Sequence, residues 1–62
     1  MEKFHGLGLE FGDSIAVTGN GFSAQQGFFI AFQNDFLIWA TTIAGVTRLV
    51  STSLDGLTIV RL

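Results

Sequence analysis

The sequence contains no cysteine, few charged residues and no long uninterrupted hydrophobic run. The absence of cysteine excludes disulfides, zinc knuckles and thiol chemistry. Only 13% of the 62 residues are charged whereas 48% are hydrophobic, so the composition is not that of a disordered chain. Three Lys and Arg residues stand against five acids, for a net charge of −2, which leaves no basic field to attract nucleic acid.

No targeting or membrane-spanning segment is predicted. Residues 1–6 combine charged residues with glycine and lack the apolar core of about 7–15 residues that a signal peptide requires. The longest uncharged apolar stretch, Phe36–Thr47, has 12 residues, whereas a membrane-spanning helix needs about 20. We therefore expect a cytoplasmic protein with no membrane partner.

The chain is long enough for one domain, 1–62, which we divide into an N-terminal segment, 1–12, and a β-structured part, 13–62. A domain of this size buries only about 60% of the surface that its unfolded chain exposes, so its core is marginal. Small domains compensate with disulfides, metal sites or oligomerisation. Because the chain has no cysteine and a single histidine, oligomerisation remains, and we expect a homo-oligomer.

Turn signals divide the sequence into short segments rich in Phe, Ile, Val, Thr and Trp. The signals are Gly19-Asn20-Gly21, Asn34-Asp35, Ala44-Gly45 and Asp55-Gly56, each of which contains Asn, Asp or Gly, the residues that tolerate the positive φ of tight turns. The segments between them predict strands at Ser14–Thr18, Phe22–Gln33, Phe36–Thr42, Val46–Thr52 and Thr58–Leu62. Gly27 predicts a bulge or bend in the long second strand. The expected fold is all-β, a small five-stranded closed barrel built as a meander.

A helical interpretation of the middle of the chain stays open. Seven apolar residues follow one another at spacings of 4, 4, 3, 4, 3 and 4, which matches a heptad seam: Phe28, Phe32, Phe36, Trp39, Ile43, Val46 and Val50. Against a helix, Asn34-Asp35 and Gly45 interrupt the run, and middling or poor helix formers dominate it. We favour strands.

Regular alternation makes the middle strands apolar on both faces. On one face of these strands it places Phe29, Ala31, Leu37 and Trp39, and on the other face it places Phe28, Ile30, Phe32, Phe36 and Ile38. Because the outside of a barrel should be polar, either the N-terminal segment or another subunit covers one face. We favour a subunit contact, with Phe29, Leu37 and Trp39 as candidate interface residues. Free strand edges could also pair between copies and close a ring, whereas a face-to-face contact would give a two-fold dimer, and the sequence does not choose between the two.

The order of these features resembles a Sm-like, SH3-type small barrel over roughly Leu9–Leu62. The matching segments are the opening strand Asp13–Thr18, Gly27 five residues before Phe32, a tight turn into Phe36–Trp39, and a strand, 3₁₀ turn and strand over Thr47–Arg61. The short Sm-like proteins of endospore-forming bacteria have this size and a similar spacing from glycine to Asp35-Phe36-Leu37. The resemblance implies the barrel fold and a tendency to form rings through edge strands.

The resemblance gives weaker support to RNA binding than to the fold, because this sequence departs from the RNA-binding pattern of the Sm proteins. Sm proteins that bind RNA carry an Asp and an Asn around the second hairpin, whereas here Gln33 replaces the Asp and Asn34 serves the turn. The closing region supplies only Arg48 and Arg61, which would lie on neighbouring barrel strands and could contact a nucleic-acid strand by charge and stacking. A chain of net charge −2 lacks the cations that phosphate neutralisation requires, so we expect solubilising or intersubunit ion-pair roles.

No catalytic, cofactor or metal site can be assembled from the sequence. His5 stands without a Ser, Cys or carboxylate motif, and Gly6–Phe11 lacks the third glycine of a dinucleotide fingerprint. Asp13, Asp35 and Asp55 lie at turn signals, which explains them as turn residues. We therefore expect a non-enzymatic, homo-oligomeric structural or interaction module without a cofactor. The alternative is a Sm-like ring that binds RNA or single-stranded nucleic acid.

Overall fold

Residues 8–62 form five β-strands. A computed structural model describes residues 8–62, so the expectations for His5 and for the rest of residues 1–7 lie outside the described residues. The strands are β1, Ser14–Gly19; β2, Phe22–Gln33; β3, Phe36–Ile43; β4, Val46–Ser53; and β5, Thr58–Arg61. All five predicted strands are confirmed to within one residue at each end. Residues 8–62 contain no helix, and thus none that could span a membrane, so the heptad interpretation is wrong.

Two of the hairpin turns place both central residues at positive φ. Asn20 and Gly21 join β1 to β2 with φ of 51° and 90°, and Ala44 and Gly45 join β3 to β4 with φ of 53° and 81°. Such two-residue turns match the twist of the strands that they connect. In the β2–β3 turn, Asn34 has a φ of 56°. The sequence therefore predicted these turns for the correct physical reason.

The β4–β5 connection is a β-turn and not the expected 3₁₀ turn. The Leu57 N–H donates to the Leu54 carbonyl at 3.1 Å, and Gly56 between them has a φ of 71°. A 3₁₀ turn keeps its residues at negative φ, so the positive φ of Gly56 excludes it.

All five strands belong to one antiparallel sheet with the order β4-β3-β2-β1-β5. The first four strands form a meander, and the chain then crosses from one edge to the other, where β5 pairs with β1. In the described chain β4 and β5 do not pair, so the sheet stays open and the expected closed barrel is wrong. The sheet nevertheless curls, which brings the end of β1 close to the end of β4: the Asn20 side-chain amide donates to the Ser53 carbonyl at 2.7 Å.

Two irregularities bend the long strand β2. The β1–β2 register slips by one residue near Ala24, whose φ is 50° and whose N–H donates to Thr18 Oγ1 at 3.0 Å. The β2–β3 register slips at Ile30, which has no partner on β3 between the paired residues on either side. Gly27 pairs regularly with both neighbouring strands, so the bend is real but the predicted bulge at Gly27 is wrong.

The core lies on one face of the curled sheet and centres on Trp39. Its buried hydrophobic residues are Ile15, Val17, Phe29, Leu37, Trp39 and Ile59. The indole Nε1 of Trp39 donates to Thr52 Oγ1 at 2.9 Å, and the Phe22 ring meets the indole edge to face at 5.2 Å. Leu9 packs against this core from the N-terminal segment, so part of that segment covers the core.

Candidate self-association surface

The three residues expected at a subunit contact lie inside the single chain. Phe29 is 6% exposed, and Leu37 and Trp39 are fully buried. The register slip at Ile30 turns Phe32 to the same side as Phe29, where the two rings pack with centroids 5.0 Å apart. Their burial within the single chain corrects the premise that these side chains form an exposed face.

The exposed hydrophobic side chains lie mainly on the opposite side of the sheet. We call this side the outer face and define it by the strand positions that alternate with the core residues. Its exposed large hydrophobics are Phe28, Phe36, Leu49, Val60 and Leu62. Alternation within a single strand separates its two faces but does not tell which face is exposed. That depends on how the strand is paired with β3, which carries Trp39. The pairing of Leu49 with Ala40 places Leu49 outside.

One free edge of the sheet is β4. In a hairpin with a two-residue turn, the residues that flank the turn form a hydrogen-bonded pair, and hydrogen-bonded and non-bonded pairs then alternate. Ile43 and Val46 are the flanking pair, so the backbone groups of Thr47, Leu49 and Ser51 point away from β3. Within residues 8–62 no strand pairs with this edge.

The other free edge is β5. The Leu62 N–H donates to the Ser14 carbonyl at 2.9 Å, which sets the alternation along the β1–β5 pair. The backbone N–H groups of Ile59 and Arg61 therefore point away from β1. Across the described part of the chain, the sheet thus exposes hydrogen-bonding groups along both of its outer strands.

The structure separates the two arginines. Arg48 lies on β4 and Arg61 on β5, at opposite edges of the sheet, so the expectation that they occupy neighbouring strands of one chain is wrong. Arg61 Nε lies 3.6 Å from Asp13 Oδ2, an ion pair within the chain. Arg48 is exposed and has no ion-pair partner in the part of the chain that the structure describes.

Several other polar side chains make hydrogen bonds that hold the fold together. Asp13 Oδ2 accepts the Glu10 N–H at 2.8 Å and closes the turn before β1, the turn role predicted for it. Gln25 Nε2 donates to Thr41 Oγ1 at 2.8 Å, and Thr41 Oγ1 donates to the Gln26 carbonyl at 2.6 Å. Between residues 8 and 62, no three His, Asp or Glu side chains are grouped so that they could hold a metal ion.

Comparison with protein-family models, with curated proteins and with solved structures finds no match to this chain. The geometry of the chain itself is therefore the basis for a functional proposal.

Proposed function

We propose that the protein is a non-enzymatic structural or interaction module that assembles with copies of itself through the edge strands β4 and β5. The observation that carries the proposal is the open sheet with a free edge on each side. Unpaired N–H and C=O groups along a strand edge pair readily with another chain. The edge strand β4 has eight residues and neither proline nor lysine, so Arg48 is its single charged residue that opposes edge pairing.

The small core supports the same proposal. Within residues 8–62, six hydrophobic side chains are buried, and the absence of cysteine leaves the fold without a disulfide. A domain of about this size has a net stability of only a few kcal/mol. Association stabilises the folded state by mass action, because only the folded chain has strand edges that can pair with another copy.

A Sm-like identity belongs to this proposal. The resemblance implies rings formed through edge strands, and such a ring needs two different edges that fit each other. The strand order places β4 and β5 at the two ends of the sheet. Pairing β4 of one copy with β5 of the next is a head-to-tail contact, which gives a closed ring when the rotation between copies closes.

Blocking one edge tests the proposal. Ser51→Pro removes a backbone N–H that points away from β3, so it spares the β3–β4 pairing while it weakens pairing with another copy. Ser51→Ala keeps the N–H and is the matched control. In sedimentation velocity at micromolar concentration, we expect the wild type and Ser51→Ala to assemble and Ser51→Pro to shift to smaller species. A wild-type mass of 6.7 kDa would overturn the proposal.

The second candidate function is binding of RNA or single-stranded nucleic acid by such a ring. It is favoured by the placement of Arg48 and Arg61 on the two strands that pair between copies, since a ring repeats both arginines at every junction. The ion pair of Arg61 with Asp13 weakens it, because that guanidinium is already partly neutralised.

Fluorescence anisotropy with a labelled single-stranded oligouridine separates the two functions. Nucleic-acid binding predicts micromolar or tighter affinity that falls steeply between low and high salt, and Arg48→Gln should reduce it. Thr47→Gln, which changes the neighbouring exposed position without changing charge, is the control. Absence of binding at low salt removes this candidate and leaves the structural module.

A further inference from the structure

The outer face carries no charged side chain in the described chain. Glu10, Asp13, Asp35 and Asp55 lie in the turns and loops between strands. Both arginines occupy core-facing positions of the edge strands, since Arg48 pairs with the buried Thr41 and Arg61 with the buried Ile15. The outer face therefore consists of apolar, hydroxyl and amide side chains alone, although the chain as a whole has a net charge of −2.

A cavity and two exposed side chains, Phe28 and Leu49, lie next to one another on the outer face. An open cavity of about 420 Å³ is lined by residues that include Ser14, Gln26, Phe28, Ala40 and Leu62. Phe28 is 54% exposed at the cavity, and Leu49, the strand neighbour of Ala40, is 69% exposed. A face that holds both a cavity and a projecting side chain beside it can be complementary to itself, as a two-fold contact requires.

The size of the face fits a dimer contact. Two extents of the molecule are 33 Å and 22 Å, which bound the footprint of one face at about 700 Å² and the total buried by two copies at about 1,400 Å². Stable protein interfaces bury about 1,200–2,000 Å² in total. This upper bound permits a specific contact that uses nearly the whole face.

We propose that the outer face binds the outer face of a second copy of this chain, with Leu49 of each copy entering the cavity of the other. The inference rests on the proposed self-association and adds a second contact surface to the strand edges. A charge-free surface creates no repulsion between two copies of an acidic chain, whereas it offers a charged partner such as nucleic acid no complementary group. Edge pairing and face pairing together would join two rings or two strings of copies back to back.

Phe28→Lys tests the face without touching the edges, because β2 is an interior strand of the sheet. The substitution places a charge where the partner would exclude water. Phe11→Lys is the matched control, since Phe11 is 79% exposed and lies before β1. In sedimentation velocity, we expect Phe28→Lys to halve the assembled mass and Phe11→Lys to leave it unchanged. In an Arg61→Pro background, which removes an outward N–H of the β5 edge at a core-facing position and leaves the outer face unchanged, we expect a dimer that Phe28→Lys converts to a monomer.

A cross-linking measurement tests the face contact even if the Phe28→Lys variant fails to fold, because it uses single cysteine substitutions at exposed positions. Gln26→Cys places the single thiol of the chain beside the cavity, and Asp55→Cys places it in the β4–β5 turn. A short bismaleimide should link Gln26→Cys into dimers at least tenfold faster than Asp55→Cys. Equal rates, or an assembled mass that Phe28→Lys leaves unchanged, overturn the face contact. Edge-mediated self-association survives that result, whereas a monomeric wild type overturns both.

Discussion

Gly27 lies directly against the ring of Trp39, and this contact explains why β2 has a glycine at its centre. A Cβ atom at position 27 would overlap the Ala40 carbonyl oxygen and lie 2.7 Å from Cε3 of Trp39. Gly27 is not among the residues with positive φ, so its backbone conformation is open to any residue. The requirement for glycine is steric: β2, β3 and the indole meet more closely than a side chain permits.

Gly27→Ala should therefore destabilise the fold by about 1–3 kcal/mol or more, because backbone and a buried ring must both move. Gln26→Ala, at the adjacent exposed position, should change stability by less than about 0.5 kcal/mol. Urea unfolding followed by Trp39 fluorescence measures both. Equal stability of Gly27→Ala and Gln26→Ala would contradict the close packing of β2 on the indole.

Thr52→Val should destabilise the protein by about 1–3 kcal/mol although it preserves shape, because the buried indole N–H of Trp39 loses its acceptor. The hydrogen bond is 2.9 Å long, and both residues are buried. Thr58→Val, at an exposed position of β5, is the control and should be neutral within about 0.5 kcal/mol. Thermal unfolding by circular dichroism compares the two; a neutral Thr52→Val would mean that the N–H finds another acceptor.

Ala44→Asn should stabilise the protein by about 0.5–1 kcal/mol. Ala44 has a φ of 53° before Gly45, a left-handed conformation that Asn tolerates better than Ala does. The substitution creates the Asn-Gly pair that already forms the β1–β2 turn. The midpoint of urea unfolding should rise, and Ala44→Val, whose branched side chain resists positive φ, should lower it. A decrease for Ala44→Asn would show that the β3–β4 turn is held by other contacts.

Asp13 should stabilise the protein mainly through its hydrogen bond and only weakly through its charge. Its Oδ2 accepts the Glu10 N–H at 2.8 Å and lies 3.6 Å from Arg61 Nε, where the Arg61 side chain is 55% exposed. Asp13→Asn keeps an acceptor and should lose less than about 1 kcal/mol, with the loss shrinking in high salt. Asp13→Ala should lose about 1 kcal/mol more at any salt concentration. Equal losses for the two variants would assign the whole effect to the ion pair.

The sequence by itself determined the strands and most of the turns. Strand boundaries follow from residues such as Asn20, Asn34 and Gly45 that tolerate positive φ, and from β-branched and aromatic segments between them. These are local backbone preferences, which act over two to six residues and do not depend on what the rest of the chain does. These local preferences outweigh the heptad spacing, because Asn34-Asp35 and Gly45 form turns at positions where a helix would have to continue.

Only the tertiary structure decided which side of each strand is buried, and with it the candidate contact surface. The extra residue at Ile30 reverses the alternation along β2, so Phe29 and Phe32 share the core side; a one-residue slip always exchanges the two faces of a strand. The distant pairing of β5 with β1 likewise separates Arg48 from Arg61 and leaves two edges free. Register and long-range pairing depend on contacts between residues far apart in the chain, which no local preference specifies.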